Sequence, residues 1–119
     1  MPSVLLCDDS MFARQMTRRF LTGAGCEVVG EAEDGEDAVT KYASLKPEVL
    51  LIDLVMPRLS GVEAIKRIRA DHPDARIVVC SAMGQDGLVK EAIDAGARSF
   101  IVKPAQPEKV VAAVTDALR

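Results

Sequence analysis

A doubly wound α/β fold around a five-stranded parallel sheet is predicted by three features of this 119-residue sequence. Short apolar runs alternate with stretches of helical period five times over, which is the pattern of repeated βα units. Three of the runs, Val4-Leu5-Leu6-Cys7, Val49-Leu50-Leu51-Ile52 and Ile77-Val78-Val79-Cys80, are apolar at every position. Such strands are covered by helices on both faces and lie centrally. The other two carry Glu27 and Glu31, or open with Arg98-Ser99, and suit the edges. Right-handed crossovers then leave the strand order 2-1-3-4-5, with the winding reversing between strands 1 and 3.

The elements follow in order. The first strand runs from Val4 to Cys7. Ala13, Met16, Phe20 and Ala24 recur at helical spacing and predict the apolar stripe of the first helix. Glu27 to Ala32 reads as the second strand, and Ala38, Val39 and Tyr42 as the inner stripe of the second helix. Val49 to Ile52 is the third strand. Ser60 with Glu63 forms a capping box that opens the third helix, whose inner face is Val62, Ile65 and Ile68. His72 before Pro73 marks an exposed helix end with no chemical role expected. Arg76 to Cys80 is the fourth strand, and Leu88, Ala92 and Ala95 line a fourth helix that Gly96 ends. Ser99 to Val102 is the fifth strand. Pro107 suits the first turn of a fifth helix, with Val110, Val114 and Ala117 facing inward. No linker, low-complexity tract or internal repeat interrupts the series, so residues 1–119 are expected to form one domain of the flavodoxin-like order.

Composition excludes several functions. Fifteen Lys and Arg against eighteen Asp and Glu leave a formal charge of −3, with no basic stripe for a nucleic-acid backbone. Three Phe, one Tyr and no Trp also deny it the stacking platforms of a single-strand binder. The apolar runs are far shorter than the ~20 residues that span a bilayer, and residues 1–20 lack a signal peptide's pattern, so the expected address is the cytoplasm. Cys7, Cys26 and Cys80 are odd in number, lack CxxC spacing and read as small buried hydrophobes. One histidine, His72, is too few for a zinc cluster. Met56 and Met83 read as packing residues.

The residues that end the strands carry chemistry. Asp8-Asp9 follow the first strand, Asp53 the third, Ser81 the fourth and Lys103-Pro104 the fifth. Parallel strands bring all of them to one edge of the sheet. Carboxylates crowded there repel one another, and a bound cation relieves the repulsion. Oxygen ligands favour Mg²⁺, with Mn²⁺ as a substitute. A metal, a lysine, a hydroxyl and a nucleophilic carboxylate together suit phosphoryl transfer onto Asp53. Taken singly, an Asp-Asp turn, a strand-end Asp, a loop Ser or a surface Lys would be unremarkable, and only the joint placement argues for function. Phe100, on an edge strand, reads from the residues alone as core.

In these motifs the chain resembles the receiver domains of two-component response regulators along its whole length. The acidic pair Asp8-Asp9, the run Asp53-Leu54-Val55-Met56-Pro57 with Gly61, Ser81-Ala82, Asp94-Ala95-Gly96-Ala97, Phe100 and Lys103-Pro104 occur in the family's order. The stretch Cys80-Ser81-Ala82-Met83-Gly84-Gln85 and the absence of an output domain are most similar to the CheY-like chemotaxis regulators. The resemblance implies a phosphoprotein rather than an enzyme in the ordinary sense, with Asp53 as phosphoacceptor and Asp9, Asp53 and the Val55 carbonyl as Mg²⁺ ligands. Asp8 would act through water in the outer shell. Lys103 would pair with the phosphoryl oxygens, Lys103-Pro104 would be cis, and Ser81 and Phe100 would form the switch. The implied partners are a histidine kinase and a target protein at the face of the fourth helix, fifth strand and fifth helix, such as the flagellar motor switch. No nucleic acid or membrane is implied.

Ala105 departs from the aromatic residue many relatives carry after Lys-Pro, which changes the partner face near the last helix. Val55 and Met83 are apolar where some relatives place side chains that influence the attacking water, and this bears on the lifetime of the signal. Other readings remain open at this point: a phosphorelay intermediate, a receiver excised from a longer transcriptional regulator, or, from another class, a small Mg²⁺-dependent phosphohydrolase of the haloacid-dehalogenase type. The last places its nucleophile in a D-x-D pattern after the first strand, whereas Asp8-Asp9 is followed here by Ser10-Met11.

Overall fold

Five βα units follow one another in a computed structural model that describes all residues, Met1–Arg119. They are β1 (Ser3–Cys7), α1 (Met11–Gly23), β2 (Glu27–Ala32), α2 (Gly35–Leu45), β3 (Val49–Asp53), α3 (Gly61–Asp71), β4 (Ile77–Ala82), α4 (Asp86–Asp94), β5 (Ser99–Lys103) and α5 (Pro107–Ala117). All neighbouring strands pair in parallel in the order β2-β1-β3-β4-β5. The apolar strands β1, β3 and β4 are central, as predicted from their apolar character on both faces.

Alternation along each central strand divides the core in two. Leu5, Leu50, Ile52, Ile77 and Val79 point to one side, where they meet Ala38 and Tyr42 of α2, Ile65 and Ile68 of α3 and Ala92 of α4. Val4, Leu6, Val49, Leu51 and Val78 point to the other, against Leu21 of α1 and Val110, Val114 and Ala117 of α5. The predicted inner stripes of α3 and α5 are buried at every position named.

Several details differ from the sequence expectation: β1 begins one residue earlier, at Ser3, and β3 and β5 each run one residue further, to Asp53 and Lys103. β4 begins one residue later than predicted and continues through Ser81 and Ala82, because both pair with β5. On α1 the fully buried apolar residue is Leu21, whereas Ala13, Met16 and Phe20 are half-buried and Ala24 is an exposed cap. The stripe is rotated because Arg14, a charged residue, occupies a buried position. At α3 only one bond of the capping box forms: Ser60 Oγ accepts from Glu63 N at 3.3 Å, while the Glu63 carboxylate faces Lys66 at 3.5 Å. His72, expected to be an exposed end, is the half-buried C-cap of α3 and lies against Tyr42 with ring centroids 5.0 Å apart.

Candidate functional site

Register alone brings the acidic residues together. Cys7 of β1 is opposite Ile52 of β3, so the next residues, Asp8 and Asp53, stand side by side at the carboxyl edge. Asp53 is opposite Cys80 of β4, which places Ser81 one step further along the neighbouring strand. Ala82 is opposite Lys103 of β5, whose long side chain spans back across the sheet. Asp8 lies where the winding reverses between β1 and β3, the expected position for a ligand in this class of fold.

The loop after β3 is anchored from below. Leu54, Met56 and Leu59 are buried, Met56 with its sulfur 3.3 Å from the Cys7 thiol. The chain returns so closely that a Cβ on Gly61 would stand 2.4 Å from the Asp53 carbonyl oxygen and 2.7 Å from Leu54 Cα. Glycine is therefore needed at position 61 for space. Arg58, in the same loop with φ 67°, ties it to the α2 N-cap through an ion pair to Asp34 at 3.0 Å.

Oxygen atoms of Asp8, Asp9 and Asp53 lie within 4.8 Å of one another. Lys103 Nζ donates to Asp8 Oδ2 at 2.7 Å and to Asp53 Oδ2 at 3.2 Å. Both carboxylates are largely buried and Lys103 is half-buried. Burial pushes the Asp53 carboxyl above its usual range, the Lys103 ammonium pulls it down, and the Asp8 charge adds to the rise. For Lys103 burial acts downward first, but the bond to Asp8 and the charges of Asp53 and Asp8 more than offset it, so its value is raised. The two directions are consistent: one ammonium is shared by two anions, which leaves it well held and leaves Asp53 under-compensated. An all-oxygen donor set that is short of positive charge fits a hard divalent cation.

Ser81 is buried at the end of β4. The Lys103-Pro104 peptide is cis, as the resemblance implied. Two expected placements need correction. Met83, taken as packing, is 81% exposed in the turn that follows β4; Val55 is 52% exposed and its N–H donates to Asp53 Oδ1 at 3.4 Å. Phe100, taken from the residues alone as core, is 51% exposed on β5, because the helix-covered side of this edge strand is filled by Ile101. Arg14 was missed altogether. A lone arginine inside a helical stripe looks like an interruption of it, and only the fold shows that its guanidinium reaches the Asp8 carbonyl.

Acidic and basic groups gathered at the switch point of such a sheet define a signalling receiver. The chain belongs to the response regulator receiver domain family, whose sequence model matches residues 4–115. It is 52% identical over 111 residues to a chemotaxis protein CheY of Thermotoga maritima, covering 93% of this chain and 92% of that protein. It is 44% identical to CheY of Listeria monocytogenes over the full length of both chains. Among solved structures, a CheX–CheY–BeF₃–Mg²⁺ complex from Borrelia burgdorferi matches with a TM-score of 0.93 and 33% identity, covering 98% of this chain and 89% of that one. The response regulator domain of Thermotoga maritima CheB matches with a TM-score of 0.92 and 32% identity, covering 99% of this chain and 96% of that one. This protein is thus a CheY-like receiver with chemotaxis relatives, a family of signalling switches. No helix is long and apolar enough to cross a membrane.

Proposed function

We propose that residues 1–119 form one receiver domain and act as a switch in which Asp53 accepts a phosphoryl group from a histidine kinase, with Mg²⁺ held by the acidic cluster. The observation that carries this reading is the shared ammonium: Lys103 bridges Asp8 at 2.7 Å and Asp53 at 3.2 Å at the edge of the sheet. Asp9, Asp53 and the Val55 carbonyl would hold the ion, and Asp8 would act through water. Mg²⁺, or Mn²⁺ in its place, would supply charge to balance the phosphoryl oxygens.

The remaining steps belong to the protein. Asp53 attacks phosphorus through a carboxylate oxygen, a P–O bond forms, and the P–N bond of the donor's phosphohistidine breaks. Lys103 exchanges its bond to Asp53 for one to a phosphoryl oxygen, keeping the Asp8 contact. Ser81 donates its hydroxyl to another, and Phe100 turns inward as Ser81 moves. The target binds the face of α4, β5 and α5, where Ile93, Phe100 and Val102 are exposed. Kinship with chemotaxis proteins supports the flagellar motor switch as that target and the cytoplasm as the setting.

Phosphotransfer tests the reading. When a kinase fragment carrying radiolabelled phosphohistidine is mixed with this protein, the label moves to the receiver in Mg²⁺ and stays on the kinase in EDTA. Label that stays on the kinase in both conditions contradicts the proposal.

A further inference from the structure

We infer that Arg14 is a positioning residue whose buried guanidinium fixes the Asp8-Asp9 turn and so sets the affinity of the acidic cluster for a divalent cation. The inference rests on the proposed metal-dependent phosphorylation.

Arg14, in α1, is only 8% exposed. A guanidinium costs several kcal/mol to bury unpaired, so its partners matter. Nε pairs with Glu31 Oε1 on β2 at 2.9 Å, and Nη1 donates to the carbonyl of Asp8. Glu31 is itself held from the other side, its second oxygen 3.0 Å from Arg18 Nε. Partial burial pushes the Glu31 carboxyl up, but the bonds from Arg14 and Arg18 outweigh it and hold it below its usual range. The fork of Arg14 is therefore aimed by a fixed anion, a task that suits its rigid planar geometry.

The carbonyl it holds belongs to the peptide joining Asp8 to Asp9. The other polar groups of Asp8 are also engaged: N donates to the Ala32 carbonyl at 3.1 Å, Oδ1 accepts from Ser10 N at 2.9 Å and Oδ2 accepts from Lys103 at 2.7 Å. Asp9, by contrast, is exposed, and the peptide whose carbonyl Arg14 holds is the one that leads into it. Mg²⁺ requires near-octahedral ligands at about 2.0–2.1 Å, so a turn free to rotate presents Asp9 in the wrong place much of the time. Pairing with Glu31 also offsets the charge of Arg14, so that it orients a ligand without repelling the cation. Residues that hold metal ligands in this way typically change affinity by about 10- to 100-fold when removed.

The chain has no Trp, so binding is read by NMR, titrating Mg²⁺ into ¹⁵N-labelled protein and following the amides of the β1–α1 turn. Arg14→Met keeps the apolar stem and removes the donors. The expected result is a Mg²⁺ dissociation constant raised about tenfold or more, with a dispersed metal-free spectrum. Phosphorylation by acetyl phosphate should then return to the wild-type rate at saturating Mg²⁺. A purely structural role would lower the melting temperature and leave the dissociation constant unchanged in the folded protein, and that result overturns the inference. If Arg14→Met does not fold, Glu31→Ala is read instead: it removes the acceptor that aims the guanidinium and should weaken Mg²⁺ in the same direction, and unchanged binding overturns the inference equally. A wild-type protein that binds no Mg²⁺ overturns the phosphorylation reading itself, and is told apart because no variant is needed to see it.

Discussion

Asp53 carries an unfavourable charge in the metal-free fold. Its carboxyl is raised first by burial and further by Asp8, against the pull of Lys103. A carboxyl raised above its unfolded value costs stability wherever it is ionised in the fold, and the cost disappears as pH falls through the folded value. At neutral pH in EDTA, Asp53→Asn should therefore melt higher than the wild type, by a few degrees on the order of 2 to 5 °C. Mg²⁺ should narrow the gap, because the cation supplies the missing charge. Thermal denaturation with and without metal checks both parts. Val55 and Met83 set a second expectation, since both are exposed, two residues past Asp53 and Ser81, with no side-chain polar atom to orient an attacking water. Val55→Asn or Met83→Glu should shorten the phosphorylated state by roughly 5- to 30-fold, the equivalent of one hydrogen bond of ~1 to 2 kcal/mol. Phosphate release from prelabelled protein measures it.

At the scale of elements, the loop from Asp53 to Gly61 is a structural clamp as much as a chemical one. Gly61→Ala would drive a methyl group to within 2.4 Å of the Asp53 carbonyl oxygen. Backbone cannot yield as a flexible side chain can, so we expect a loss of about 2 kcal/mol, visible as a lower midpoint in urea with little change in slope. The motif run around Asp53 was legible as chemistry in the sequence, but the reason for its glycine was not, because the close approach is made by two segments of backbone. The strands were legible for a simpler reason. Three runs apolar on both faces can only be central in a parallel sheet, and β1, β3 and β4 are central. On α1 the pattern misled, since Arg14 is buried by its pairing with Glu31 and shifts the inner face to Leu21. On β4 a hydrophobic run ends at Cys80, whereas pairing to β5 continues through Ser81 and Ala82, which no apolar pattern reveals. The exposure of Phe100 was hidden because side-chain type does not say which face of an edge strand is covered, and that of Met83 because it falls in the turn beyond β4 rather than in an element with an inner face.

In the whole molecule, β5 pairs with β4 beside the charged edge, and Ser81 is buried on β4 while Phe100 is exposed on β5. Phosphorylation should shift the population of that connection by a coupling of ~1 to 3 kcal/mol, a redistribution between two packings of one fold. Ser81→Ala should accept phosphate at near wild-type yield while the amide shifts on α4, β5 and α5 shrink. Shifts confined to the loops around Asp53 in the wild type would contradict the coupling. All of this depends on the identity of the nucleophile, which intact-mass measurement tests most directly. After incubation with acetyl phosphate, the wild type should gain the mass of one phosphoryl group in Mg²⁺ and none in EDTA, and Asp53→Asn should gain none in either. Equal labelling of the wild type and Asp53→Asn would contradict the account at its centre.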